Sequence, residues 1–324
     1  MTKDDSPLDK MFEIEAVLSL NEPLPAVDVW LVLDLLRAST TIVTWFERGG
    51  KEIFPEMSAD AALSLKAKML KEGFYPLLMG EVNAVPPDGF DAGNSPLEID
   101  KQIVSRRPTA IMATTNGTKA ILKAVATGAA VYIVCARNAL YALDSAIGQG
   151  RRIGILCAGR LERPAVDDTL CAGLIIEKLC NFVPHHVMSD GAYIALKMWE
   201  NSGGSFEHNV RSAVHAKFLE KIGFSRDISY CCEQDKTAYA PEVKEVLNFC
   251  DSGLRPLITC ERKSELRFLT RGAVSYAVGE EQTEENIKEK KMPDDGDIFF
   301  GGDSYMRNKL SRASLELDFG GGKN

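Results

Sequence analysis

An α/β fold with a largely parallel or mixed sheet is what this sequence predicts, and three observations predict it. Short apolar runs alternate with longer segments of helical periodicity along most of the chain. Several of the short runs are apolar throughout and rich in Val and Ile, as strands are when helices cover both their faces. Directly after nearly every run comes an acid, an arginine or a hydroxyl cluster, where open α/β sheets bind their ligands.

Strands are expected over 27–33, 52–54, 76–79, 109–114, 130–135 and 152–157, each a short apolar run. Helices are expected over 39–48, 59–72, 117–126, 139–148, 167–181, 190–199 and 210–221. A chain of 324 residues suits two domains better than one. The expected division is an N-terminal α/β domain over 1–138, a second over 139–255, and an extension over 256–324. The stretch EEQTEENIKEKKMPDDGD (280–297) is highly charged and nearly free of large apolar side chains, so a disordered tail is expected from about residue 280.

Composition excludes several classes of function. With a net charge of −8 and a pI near 5.3, the chain lacks the basic footprint of a nucleic-acid binder. No apolar run reaches the roughly 18–20 residues that cross a bilayer, and the opening MTKDDSPLDK has no signal-peptide pattern. A cytoplasmic protein with no membrane partner is expected. Eight cysteines contain no CxxC pair, which argues against a zinc site and a disulfide framework and for small buried hydrophobes. The four histidines have no HExxH spacing; His215 reads as a packed or capping residue, with a general acid as the alternative. A homodimer is the base-rate expectation for oligomeric state.

The strand ends carry the chemistry. After the first comes Asp34-Leu-Leu-Arg37-Ala-Ser39-Thr40-Thr41, which suits Mg²⁺ on the carboxylate and an anion on the arginine; an Asp34–Arg37 salt bridge with ordinary capping is the alternative. Gly80-Glu81-Val82 ends another strand, its glutamate either a ligand or a loop residue. Gly89 to Glu98 is turn-rich, with Asn94-Ser95-Pro96 able to open a helix or a capped surface turn. Thr114-Thr115-Asn116-Gly117-Thr118 joins a strand to a helix through a residue that admits close backbone approach, and its hydroxyls, amide and N–H groups suit an anion. It matches neither GxxxxGK[ST] nor GxGxxG. Arg137 and Arg160 come after two further strands, and Asp167-Asp168 opens a helix, as macrodipole partners or as a second carboxylate pair for Mg²⁺.

Taken together and in this order, DLLRASTT (34–41), GE (80–81), GFDAGNSP (89–96), TTNGT (114–118) and DDTLCAG (167–173) resemble the 2-phosphosulfolactate phosphatase family, the ComB-like proteins of coenzyme M biosynthesis. The resemblance covers roughly residues 11–250. It departs at Leu35 and Ser39, at Val82 where the family often has arginine, and at Val166-Asp167-Asp168 where it often has Leu-Glu-Asp. It implies two similar three-layer α/β/α domains and a Mg²⁺-dependent phosphatase that turns 2-phosphosulfolactate, a small anionic phosphorylated substrate, into sulfolactate and phosphate. On this chain it implies catalytic Asp34, Arg37, Glu81 and Asp168, with Mg²⁺ on Asp34, Glu81 and one or both of Asp167 and Asp168. It further implies phosphate binding by Asn94, Ser95, Thr115, Asn116, Gly117 and Thr118, and anion pairing by Arg37, Arg137 and Arg160. A phosphatase for another phosphorylated 2-hydroxy acid, or a non-catalytic binder of such acids, is the alternative.

Overall fold

The computed structural model describes residues 11–247 and 254–267. In chain order the elements are β1 (Phe12–Val17), β2 (Val29–Leu33), α1 (Ala38–Glu47), β3 (Glu52–Glu56), α2 (Ala59–Lys71), β4 (Leu77–Gly80) and α3 (Lys101–Arg106). Next come β5 (Thr109–Ala113), α4 (Gly117–Val125), β6 (Ala130–Val134), α5 (Ala139–Ile147), β7 (Arg152–Cys157), α6 (Val166–Phe182) and β8 (His186–Met188). Last are α7 (Asp190–Glu200), α8 (Phe206–Arg211), α9 (Val214–Lys221), α10 (Ser225–Cys231), β9 (Glu242–Leu247) and β10 (Leu254–Thr259).

All ten strands join one mixed sheet in the order β4-β5-β3-β10-β9-β6-β2-β7-β1-β8. Two parallel blocks, β4-β5-β3 and β6-β2-β7-β1-β8, are bridged by β9 and β10, which pair antiparallel with each other and with their outer neighbours. Strands from both sides of position 138 therefore share the sheet, with β2 between β6 and β7, and the expected 138/139 boundary does not coincide with a break in it. Residues 256–259, assigned from sequence to an extension, lie inside the sheet as part of β10, where Leu257 and Ile258 are buried. The tail expected from residue 280 lies outside the described residues.

The unbroken apolar run of β2 is explained by the layers that cover it. Val29, Leu31 and Leu33 pack into one core with α5, α6 and α7, while Trp30 and Val32 face the other way, into a core with α1 and α4. In the second block, Phe54, Leu78 and Ile111 meet α2, and Ile53, Met79 and Met112 join the same core as α4. Helix α4 is thus packed between both blocks, and this layer carries the TTNGT turn. The expected strands and helices match with shifts of one or two residues, except over 210–221. There the chain forms two helices, α8 and α9, because the Ser212 hydroxyl and N–H both turn back to the Asn209 carbonyl.

Candidate active site

The carboxyl ends of β2, β4, β5 and β7 converge on one cleft. Asp34, Glu81, Asn94, Thr115, Asn116 and Arg160 line it, together with Arg37, Asn83, Ala84 and His215. Asp34 comes directly after β2. Its N–H donates to Ser39 Oγ at 2.9 Å, its carbonyl accepts the Ser39 N–H at 2.9 Å, and its Oδ1 accepts the Ala38 N–H at 3.2 Å. Three local bonds therefore lock the carboxylate at the entry to α1. The alternative Asp34–Arg37 bridge does not form: Arg37 turns to Asp227 instead.

The TTNGT turn divides its labour. Thr114 and Thr118 close on each other: Thr118 N–H donates to Thr114 Oγ1 at 3.0 Å, and Thr118 Oγ1 donates to the Thr114 carbonyl at 3.1 Å. Thr118 is fully buried and lines no part of the cleft, which corrects its expected phosphate contact; its hydroxyl is committed to the turn. Thr115 gives its N–H to Glu81 Oε1 at 2.8 Å and its hydroxyl to Glu81 Oε2 at 3.1 Å, so the end of β5 fixes the carboxylate that comes after β4. Gly117 starts α4 against Asp34. A Cβ there would stand 2.6 Å from Asp34 Oδ2 and 2.4 Å from Ala38 Cβ, so only glycine lets the helix N-terminus come this close.

Two tight hairpins flank the cleft. After β4, Val82 and Val85 pair across Asn83 and Ala84, both with positive φ; after β7, Arg160 and Arg163 pair across Leu161 and Glu162, likewise both positive. Two successive positive φ values make each a mirror-image two-residue turn.

Other candidates sit one step back. Asp168 accepts the Leu35 N–H on Oδ1 and the Gly159 N–H on Oδ2, both at 2.9 Å, and so ties the end of β2 to the end of β7. It does not line the cleft. Asp167 is buried beside it, with Oδ1 unpartnered among the described residues and Oδ2 3.6 Å from His215 Nδ1. Ser95 Oγ donates to Asp227 Oδ1 at 2.8 Å, and Asn94 Oδ1 is buried at the cleft without a hydrogen bond among the described residues. The expected surface turn at 94–96 is in fact buried. Arg137 lies outside the cleft, over the Tyr230 ring and between Glu47 and Glu233, which corrects its expected role in anion pairing: its charge is already answered.

The sequence does not mark Asp227, and it singles out His215 as a packed or capping residue or a general acid without placing it at the strand ends. Asp227 on α10 holds both Arg37 and Ser95, yet nothing in Ser225–Cys231 marks a strand end. His215 on α9 reaches the cleft from a helix that is distant in sequence. Electrostatically the acids dominate: burial pushes the Asp34 carboxyl up to about 6, and Glu81 and Asp167 add to this while His215 and the Ala38 amide oppose it. Burial and the neighbouring Asp167 and Asp34 push Asp168 up as well, against the pull of its two backbone amides.

The family model for 2-phosphosulpholactate phosphatase matches residues 18–246. Among curated relatives, a probable 2-phosphosulfolactate phosphatase of Pseudothermotoga lettingae is 33% identical over 230 residues, covering 69% of this chain and 93% of the relative. Proteins of the same description from Deinococcus radiodurans (36% identical, 66% of this chain and 87% of the relative) and Thermus thermophilus (33%, 69% and 91%) are similar over comparable lengths. The matched span holds every residue that lines the cleft, and by matches of this length the chain belongs to the 2-phosphosulpholactate phosphatase family.

Proposed function

We propose that the chain hydrolyses 2-phosphosulfolactate to sulfolactate and phosphate in this cleft, with Mg²⁺. The observation that carries the reading is the meeting of Asp34 and Glu81, from strand ends of different blocks, beside Asn94, Asn116, Arg160 and His215.

The donor set suits a magnesium ion that is shared with substrate. Among the described residues no three His, Cys, Asp or Glu side chains cage an ion by themselves. Magnesium needs no such cage, being held by one or two carboxylates plus substrate phosphate and water. A carboxylate has about four acceptor sites; Glu81 uses three of them, on Thr115 N–H, Thr115 Oγ1 and Ala84 N–H, and Asp34 uses one on Ala38 N–H. Both line the cleft and keep acceptor sites free, so Asp34 and Glu81 are the holders we propose; Asp168, which bridges Leu35 and Gly159 behind the cleft and does not line it, is not. Bound there, Mg²⁺ supplies neutralisation of the phosphoryl oxygens and a more acidic water.

The chain's own residues do the rest. Asn94 and Asn116 offer amides to phosphoryl oxygens, and Arg160 offers a guanidinium to an anion. Attack by water on phosphorus breaks the bond to the 2-oxygen, which leaves as an alkoxide and needs a proton. His215, steered through Nδ1 by Asp167, is the donor we propose. The seven free cysteines of the described residues suit a reducing cytoplasm, and no helix among those residues is long and apolar enough to cross a membrane.

Phosphate release from racemic 2-phosphosulfolactate, with and without Mg²⁺, beside phospholactate and 2- and 3-phosphoglycerate, tests the reading. Mg²⁺-dependent release strongest with phosphosulfolactate is expected. Faster release from another ester would reassign the substrate, and no release from any would overturn the hydrolase.

A further inference from the structure

The two hairpins at the mouth of the cleft share a backbone and differ in chemistry. In the first, Val82 and Val85 face each other; in the second, Arg160 and Arg163 do. Arg160 and Arg163 exchange both backbone hydrogen bonds, at 2.9 and 3.1 Å, across a two-residue turn. Residues paired in this way project from the same face with Cβ atoms about 5 Å apart, and like charges directly opposite are destabilising. Neither guanidinium is paired with an acid among the described residues. Two uncompensated cations in fixed cross-strand register carry a cost that a bound anion relieves.

Position says which anion. Arg160 lines the cleft and also a second cavity beside it, which Arg163, Pro164, Val166, Asp167 and His215 share. The acid-lined cleft, where Asp34 and Glu81 would hold the ion, is the end for the phosphate. The neighbouring cavity begins at Arg160 and runs outward to exposed Arg163. Its one acid, Asp167, is buried and turned to His215. A ligand with its phosphate in the cleft and a second acidic group a few bonds away would present that group to the two arginines. One planar guanidinium suits a flat carboxylate, whereas a sulfonate carries three oxygens in a pyramid. Two guanidiniums that approach from adjacent strands serve the second shape better.

We propose that Arg160 and Arg163 form a clamp for the sulfonate of the substrate and so set the preference for a sulfonated over a plain phosphorylated 2-hydroxy acid. The proposal rests on the reading of the cleft given above.

The test is a ratio. The kcat/KM for 2-phosphosulfolactate is divided by that for phospholactate, which lacks the sulfonate, in the wild type and in Arg163→Gln, Arg160→Gln and the double variant. Partial unfolding cancels in this ratio. It is expected to fall at least about tenfold for each arginine, the loss of one charge-assisted contact. A ratio within about twofold of wild type in the double variant overturns the clamp. So does a wild type with no preference between the two esters. Calorimetric binding of sulfolactate separates this proposal from the hydrolase reading. If the wild type hydrolyses neither ester yet binds sulfolactate, and the double variant does not, the clamp stands and hydrolysis falls; no binding by the wild type, with no hydrolysis, removes both.

Discussion

Arg37 and Asp227 form a buried ion pair at 2.8 Å, although 190 positions separate them in the chain. The same carboxylate takes the Ser95 hydroxyl, and Arg37 also donates to the Ala84 carbonyl at 2.9 Å and lies over the Phe224 ring. This network draws α10, the turn before α3 and the hairpin after β4 around the cleft. Removing one partner leaves a buried charge unanswered. Asp227→Ala is expected to lower stability by about 3–5 kcal/mol, read by urea denaturation. A loss below about 1 kcal/mol would mean that Arg37 finds another partner.

Half of the cleft was legible in the sequence because a geometric rule points there. Asp34, Glu81, Thr115, Asn116 and Arg160 come directly after strands or lie within two or three residues of their ends, where a twisted α/β sheet opens to ligand. The same rule misdirects at Arg137, since the turn after β6 is enclosed by Glu47, Tyr230 and Glu233 from elements far along the chain. It has no purchase on Asp227 or His215, which reach the network from helices. The sheet was legible where both faces are covered, as in β2. It was not where β9 (EVKEVL) and β10 (LRPLIT) interrupt their apolar pattern with charges, because their pairing is set by neighbours distant in sequence.

Asp34 and Asp168 separate catalysis from architecture. Asp34→Asn is expected to keep the fold and abolish turnover, with Mg²⁺ binding lost by calorimetry. Asp168→Asn turns an amide NH₂ toward one of two backbone N–H groups, from Leu35 or Gly159, and leaves it unsatisfied. A stability loss of about 1–3 kcal/mol is expected, with Mg²⁺ affinity far less affected than in Asp34→Asn. The reverse pattern, full stability with Mg²⁺ binding gone in Asp168→Asn, would make Asp168 a ligand.

Gly117 is where the TTNGT turn meets Asp34. In Gly117→Ala the new methyl meets Ala38 Cβ, which is fixed in α1 and has no rotamer to yield. Helix α4 must shift, at a cost of about 1–3 kcal/mol. Turnover should fall more than stability predicts, because Asn116 and Thr115 move with the helix away from Asp34. Wild-type kcat in a destabilised Gly117→Ala would separate this turn from the chemistry.

The acid cluster gives stability an unusual pH dependence. In the folded protein the Asp34 carboxyl titrates at about 6, above its ordinary 3.8, mainly through burial. Folding therefore favours the protonated form. Without metal, the penalty of ionising Asp34 is absent below about pH 4 and grows as pH rises, being complete above about pH 6, on the order of 3 kcal/mol. Most native carboxylates contribute in the opposite sense. A divalent cation competes with that proton, so stabilisation by Mg²⁺ should be small near pH 5 and grow through pH 6 to 7. Thermal unfolding with EDTA and with excess Mg²⁺, across this range, reads both trends. Asp34→Asn should remove the Mg²⁺ increment at every pH and be the more stable of the two metal-free proteins at pH 7. An increment that is the same at pH 5 as at pH 7, or that survives in Asp34→Asn, would show that the ion binds through other groups.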